Sequence, residues 1–243
     1  MLLDQYADIL TASIRRIQDN QKEKILDAAN LVSRTICADG LVYVFGCGHS
    51  HLLAEETFYR AGGLACVHPI VNEPLMLHES ASHSSFLEKQ KGMAAEVLAP
   101  YSFTDKDVLI VASSSGINGV PVEVAAEAKN RGVKVIGISS DAYLSQTPRN
   151  LLNVHLQNVC HVCIDNAVPH GDACLQPEGL PVKMTPISTV TGAYIINSIL
   201  AEATQLALNA GAQVPVYLSG NIPGGAEYNE ALIERYKPRI HCL

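Results

Sequence analysis

The sequence predicts an α/β fold: five parallel strands in one sheet, helices over both faces and a helical arm in front. Three observations carry that prediction. Short, continuous apolar runs recur, as LVYVFG at 41–46, DVLIVAS at 107–113 and VKVIGIS at 133–139, and such runs suit strands buried on both faces. Stretches with apolar residues at helical spacing separate them, the pattern of right-handed βαβ crossovers. The chain has 243 residues, no Trp and only 5% aromatics, so small and β-branched side chains must pack its core.

The first element is the arm, residues 1–39. Leu3, Tyr6, Ile9, Leu10, Ile14 and Ile17, then Ile25, Leu26, Ala29, Val32 and Ile36, fall at helical spacing. They predict one helix, or two with a break near Asp19–Asn20. Asp39-Gly40 ends the arm, and strand 41–46 follows. His49 to Ala61 reads as a helix stopped by Gly62-Gly63, and LACVHPIV at 64–71 as the second strand. HESASHSSF at 78–86 reads as a polar loop over the sheet's carboxyl edge, with a helix over 86–99 behind it. Strand 107–113 leads into a helix at 118–131, closed by Arg131-Gly132, and then into strand 133–139. VCHVCID at 159–165 supplies a short fifth strand, and DNAVPHGDA at 165–173 a polar turn. The C-terminal helices occupy 187–236: a long apolar one at 187–210 and a terminal one at 225–236. No repeat or low-complexity linker divides the chain, so residues 1–243 read as one domain.

Charge and composition exclude several roles. The formal net charge of −7 argues against a nucleic-acid surface, which needs clustered Lys and Arg. An anion would have to be held locally, by backbone N–H groups and hydroxyls. Seven cysteines form no disulfide-like framework, so reduced thiols and a cytoplasmic location are expected. MLLDQYADIL is too short and too acidic for a signal peptide. No apolar run reaches the roughly 18 residues of a membrane span.

Two strand ends carry unusual chemistry, and in such sheets ligands sit beyond the strands' carboxyl ends. The first is GCGHS at 46–50. Its glycines, Gly48 among them, allow close backbone approach, and Ser50 opens a helix whose first N–H groups face an anion. The second is SSSGINGV at 113–120. Ser113, Ser114, Ser115 and the Asn118 amide offer donors to a phosphate ester, which has acceptor oxygens only. Each hydrogen bond to a charged group contributes about 1.5–3 kcal/mol net, and a helix N-terminus up to about 2 kcal/mol more. A dinucleotide fingerprint fails, because position 51 is His rather than Gly and 64–71 ends in no acidic residue. A Walker loop fails for want of Gly-Lys-Ser/Thr.

VYVFGCGHSHLLAEE, followed by DVLIVASSSGINGVPVEVAAEAKNRGVKVIGISS, resembles the SIS (sugar isomerase) domain. The first block is similar to its Gly-x-Gly-x-Ser turn, the second to its Ser-x-Ser-Gly loop with the helix and strand after it. Within the superfamily the chain most resembles phosphoheptose-isomerase-like proteins, over residues 1–210, with 41–61 and 107–140 the specific parts. The resemblance implies a flavodoxin-like three-layer αβα sandwich with a parallel five-stranded sheet. It also implies a sugar phosphate ligand and a homo-oligomer, dimer or tetramer, with sites near subunit interfaces. By position, Ser50, Ser113, Ser114, Ser115 and Asn118 would contact the phosphate, Asn118 standing where the family often has Ser or Thr. The chain departs from phosphoheptose isomerases at their catalytic or zinc-binding His and Glu, replaced by Glu56 and Arg60. Their late-helix His has no match either, since 187–210 contains none.

Moving a proton between adjacent carbons of a sugar takes a base, and moving it between the oxygens takes an acid. Glu55 and Glu56, outside the apolar arc of their helix, are the candidate bases, with His51 and His83 the candidate acids. His49, His78 and Lys183 are candidate substrate contacts. Glu79, Asp165, His170 and Asp172 lie on the same predicted edge. His49 and His51 are two apart, which sets the rings on different helix faces, so no metal is assigned and no cofactor is expected. Cys160-x-x-Cys163 reads as core thiols within a strand, and Cys47 as a small space-filler. The expected function is an aldose–ketose isomerase of a sugar phosphate. The alternatives are a non-catalytic phosphosugar sensor and an amino-sugar-phosphate lyase or etherase.

Overall fold

Strands β1 (Val42–Gly46), β2 (Val67–Pro69), β3 (Val108–Ala112), β4 (Lys134–Ser139) and β5 (Val162–Asp165) pair in parallel in the order β2-β1-β3-β4-β5. They form the centre of the computed structural model, which describes residues 1–243. This is the flavodoxin-like strand order. Every residue of β1 and β3 is buried, as their unbroken apolar runs demand. Helices α1 (Leu2–Cys37), α2 (Leu52–Thr57) and α7 (Ser188–Asn209) pack together on one face. Helices α4 (Ala94–Val97), α5 (Gly119–Asn130) and α6 (Leu156–Val159) pack together on the other. The expected αβα sandwich is therefore present, and one hydrophobic cluster of 50 buried residues joins its layers.

Of the two readings of the arm, the single unbroken helix holds. Helix α1 runs straight through Asp19–Asn20, which lie exposed, while Ile17, Gln21, Ile25, Ala28, Ala29 and Val32 form the buried stripe. Gln21, Ser33 and Thr35 are the buried polar residues of the helix, and Gln21 Oε1 accepts the Asp165 N–H at 3.2 Å.

Other boundaries moved for local reasons. Residues 48–51 form a 3₁₀ turn and α2 ends at Thr57, well before Gly62-Gly63. Phe58 is extended and Tyr59 takes φ +44°, so the helix stops there. The predicted polar loop at 78–86 is a helix, α3 (Leu77–Leu87), interrupted by extended backbone at Ser80. It is pinned by the buried Ser84 hydroxyl, which donates to the Leu75 carbonyl at 2.7 Å. The helix expected over 86–99 shrinks to α4. The polar turn expected after the fifth strand is present over 166–172, and beyond it an unforeseen antiparallel hairpin, β6 (Ala173–Leu175) with β7 (Met184–Pro186), leads to α7. Helix α8 (Gly225–Tyr236) is the predicted terminal one.

Beyond β2 the sheet is closed by the chain itself. Gly62 N–H donates to Tyr217 O at 2.8 Å, Ala65 N–H to Pro215 O at 2.7 Å, and Tyr217 N–H to Gly63 O at 2.9 Å. At the amino end of the sheet His68 of β2 is 2% exposed. It stacks on Tyr43 with ring centroids 5.0 Å apart and meets His241 edge-on at 4.8 Å. Neither ring nitrogen has a hydrogen-bond partner.

Burial pushes the His68 pKa down to about 4, with the charge of His241 a smaller contribution. The unfolded chain therefore takes up a proton below pH 6.5 that the folded chain refuses until pH 4. Stability should fall by about 3 kcal/mol across that window, at 1.36 kcal/mol per pH unit for one group. His68→Phe should flatten the slope; urea melts at stepped pH values measure it. A second expectation concerns Gly119, where a Cβ would stand 1.9 Å from the Gln90 carbonyl oxygen. Gly119→Ala should cost about 1–3 kcal/mol through overpacking, read in the same melts.

Candidate functional site

Strands β1 and β3 lie side by side in register, and Gly46 stands opposite Ala112. Both runs therefore end at one level, and the two corners leave from neighbouring positions. Gly46 lets the first corner fold back tightly: a Cβ there would meet the Ser50 backbone carbonyl at 2.5 Å. The second corner turns on Gly116, at φ +60°. Ser113 Oγ accepts the Gly116 N–H at 3.3 Å, Ser114 O accepts the Ser140 N–H at 2.9 Å, and Gly116 O accepts the Leu156 N–H at 2.8 Å.

The two corners meet. His49 and Ser50 from the first, and Ser113 and Ser114 from the second, line one notch. Asn166, Ser188 and Thr189 complete its polar wall, and it carries no Lys, Arg, Asp or Glu. Asn166 follows β5 and donates from Nδ2 to the Ser114 hydroxyl at 3.3 Å. Ser188 and Thr189 open α7, whose N-terminal turn is held by a carboxylate. Asp172 accepts from Ile187 N–H at 3.0 Å, Ser188 N–H at 2.9 Å and Ser188 Oγ at 2.6 Å. The notch is tight, with about 10 Å³ of free space, room for one water. Seating a phosphoryl group requires the exposed His49 and the half-buried hydroxyls to swing aside.

The other predicted residues scatter around this centre. Ser115 is half-buried on the serine corner but does not line the notch, and Gly48 is likewise half-buried beside it. Asn118 is buried with its amide already committed: Nδ2 donates to Glu88 Oε1 at 2.6 Å. The Glu88 carbonyl also accepts the Val120 N–H at 3.0 Å. A carboxylate thus holds the start of α5 and occupies the Asn118 amide N–H. Glu88 also lies beside Cys47, a thiol that burial pushes far up, with the Glu88 charge adding to the effect.

The two candidate bases separate. Glu55, 62% exposed, pairs with the buried His51 at 3.1 Å. Glu56 instead bonds Arg60 and accepts from Asn197 Nδ2 at 3.0 Å, in a different cleft. His78 and His83 are exposed on α3, His78 against Glu79 at 3.8 Å and His83 beside Phe86. Lys183 is exposed on the hairpin, away from the notch. Asp165 and Asp172 hold backbone N–H groups, while His170 pairs with Gln146. No three His, Cys, Asp or Glu side chains gather as a metal site would require.

Sequence reasoning missed Glu88, Asn166, Ser188 and Thr189. The one available signal was Asp172 ahead of the apolar helix, a carboxylate able to cap it; the rest are brought in by the tertiary fold.

The SIS domain family model matches residues 5–140, which include both corners. The chain belongs to the SIS domain family. Full-length relatives agree: a UPF0309 protein of Listeria innocua is 42% identical over 243 residues, covering 100% of this chain and 98% of that one. A UPF0309 protein of Halalkalibacterium halodurans is 44% identical over 243 residues, covering 100% and 97%. Among solved structures, a phosphoheptose isomerase of Neisseria gonorrhoeae has a TM-score of 0.50 at 19% identity, over 85% of this chain and 99% of that one. That likeness is one of fold. The SIS match stops before Asn166 and α7, so the far wall of the notch comes from the part of the chain beyond it.

Asp172 is the test of that far wall. It sits at φ +66°, which Asn tolerates and Ala does not. Asp172→Ala should lower stability by about 1–3 kcal/mol, losing the cap and straining the backbone. Asp172→Asn should cost visibly less in chemical denaturation.

Proposed function

We propose that this SIS-domain protein binds a sugar phosphate in the notch between its two corners and interconverts the aldose and ketose forms. One observation carries the reading: hydroxyls from strand ends in register, joined by those at the start of α7, converge on a neutral notch. Neutral donors recognise a dianionic ester by hydrogen bonds to its oxygens. Ser50, Ser113 and Ser114 hold the phosphate, with Gly48 giving it backbone access and Ser115 at the rim. His49 lies over the sugar. The His51–Glu55 pair, one turn behind, supplies acid and base, Glu55 taking the C2 proton and His51 serving the oxygens. In the assembly, a cytosolic homo-oligomer, exposed His78, His83 and Lys183 reach ligand only where subunits meet.

A second reading is a non-catalytic sensor of the same ligand. It is favoured by the absence of any carboxylate from the notch lining itself.

One experiment divides these. The protein is incubated in deuterated water with a panel of sugar phosphates, and exchange at C2 is followed by NMR. Isomerisation predicts exchange, abolished in Glu55→Gln with binding retained. Binding without exchange supports the sensor, and loss of a side group would mark a lyase. Ser50→Ala should weaken affinity about 10- to 100-fold, the loss of one charged hydrogen bond. Unchanged affinity would remove the notch from the mechanism.

A further inference from the structure

Cys160 and Cys163 stand at the entry to β5, outside the notch. Across from them the sheet carries a glycine. Gly137 of β4 pairs with Cys163, and a Cβ on it would lie 2.7 Å from Cys163 Sγ and 2.8 Å from Cys160 Sγ. Both sulfurs therefore occupy the one hollow that a side chain at 137 would fill. Ser139 Oγ lies 3.4 Å from Cys163 Sγ. Cys163 also lines a groove of about 770 Å³ whose rim includes Lys24, Arg34 and His161.

The two residues differ in freedom. Cys163 is fixed in the β4–β5 ladder, whose first pair is Ile136 with Val162. Cys160 precedes that pair, where the chain bends between α6 and the strand. They differ in acidity too. The neighbouring Cys160 thiol, with Ser139 assisting, lowers the Cys163 pKa against the opposing effect of burial, while Cys160 itself is raised. The remaining thiols lack such a neighbour: Cys47 and Cys66 are buried, Cys37 and Cys242 are exposed, and Cys174 donates to Thr185 O at 3.1 Å.

We propose that Cys160 and Cys163 form a redox-active dithiol, which a small disulfide such as oxidised glutathione converts to an intramolecular disulfide. The Cys163 thiolate attacks one sulfur of the reagent. The reagent's S–S bond breaks and one glutathione thiolate leaves, taking up the Cys160 proton. Cys160 then attacks the Cys163 sulfur and expels the second glutathione. Two protein thiols are oxidised by two electrons, and the reagent is reduced to two thiols.

The pair also flanks the serine corner. Ser139 packs against Gly116, and α6, which ends at Cys160, holds the Gly116 carbonyl through Leu156 N–H at 2.8 Å. Closing the disulfide draws on both supports, so the oxidised form should bind phosphate more weakly. That consequence rests on the phosphate reading; the disulfide itself does not.

The test uses the whole protein, reduced and then equilibrated with oxidised glutathione. Intact mass should fall by two hydrogens with no glutathione retained at this pair, and the bond should map to the segment 150–183. It should form equally in Cys174→Ser and be absent from Cys160→Ser and Cys163→Ser. Cys160→Ser should trap glutathione on residue 163. In the wild type, Cys163 should alkylate before Cys160, a check that needs no variant to fold. A bond through Cys174, glutathione only on Cys37 or Cys242, or trapping at residue 160 would overturn the proposal. Inorganic phosphate affinity is then compared in the two forms. Equal affinities would overturn the coupling, and no binding by either would fail the phosphate reading while leaving the dithiol standing.

Discussion

The parallel pairing of β1 with β3 is the constraint on which everything else rests. Because Gly46 and Ala112 are partners in that ladder, the segments after them begin at the same height. They then part, α2 joining the face of α1 and α7, and α5 joining the face of α4 and α6. A crevice must open where two adjacent strands send their helices to opposite sides. Slipping the ladder by one residue would exchange the faces of every side chain on a strand and bring the corners out of step. Gly46 matters for the same reason, since only a residue without a Cβ lets the turn close onto the Ser50 backbone.

The site built on this frame is neutral by arrangement. Carboxylates stand close to it, yet each is occupied: Asp172 with the first N–H groups of α7, Glu88 with Asn118, Asp165 with Asp141 and Ala167 N–H groups. They organise the wall and leave the polar lining to hydroxyls, one amide and the His49 imidazole. A lining of this kind offers an anion fixed dipoles rather than net charge. That suits a chain with a formal charge of −7.

The strands and both corners were legible because their information is local. An unbroken apolar run reads as a buried strand wherever it lies, and a serine–glycine turn after it needs no distant partner to be seen. What stayed hidden depends on contacts far along the chain. HESASHSSF buries only Ser84, so α3 shows no apolar stripe, and its polar composition reads as loop. Asn166 and Ser188 reach the notch only because β5 and α7 converge there. Glu88 reveals itself through the buried amide of Asn118, and nothing in its sequence neighbourhood marks it. The arm stayed open between one helix and two: Asp19–Asn20 has the composition of a break, but both lie on the exposed face, where composition has little force, and the helix runs on. The Cys-x-x-Cys spacing was visible as a motif, whereas the glycine that makes room for its two sulfurs belongs to another strand.

The strip formed by residues 215–217 along the outer side of 62–65 bears on how the molecule behaves in a crowd. Short as it is, it occupies backbone donors and acceptors of residues 62–65, just ahead of the edge strand, where a bare margin would invite a foreign strand to add itself. Addition of a foreign strand to the sheet is thereby hindered along that stretch of one flank.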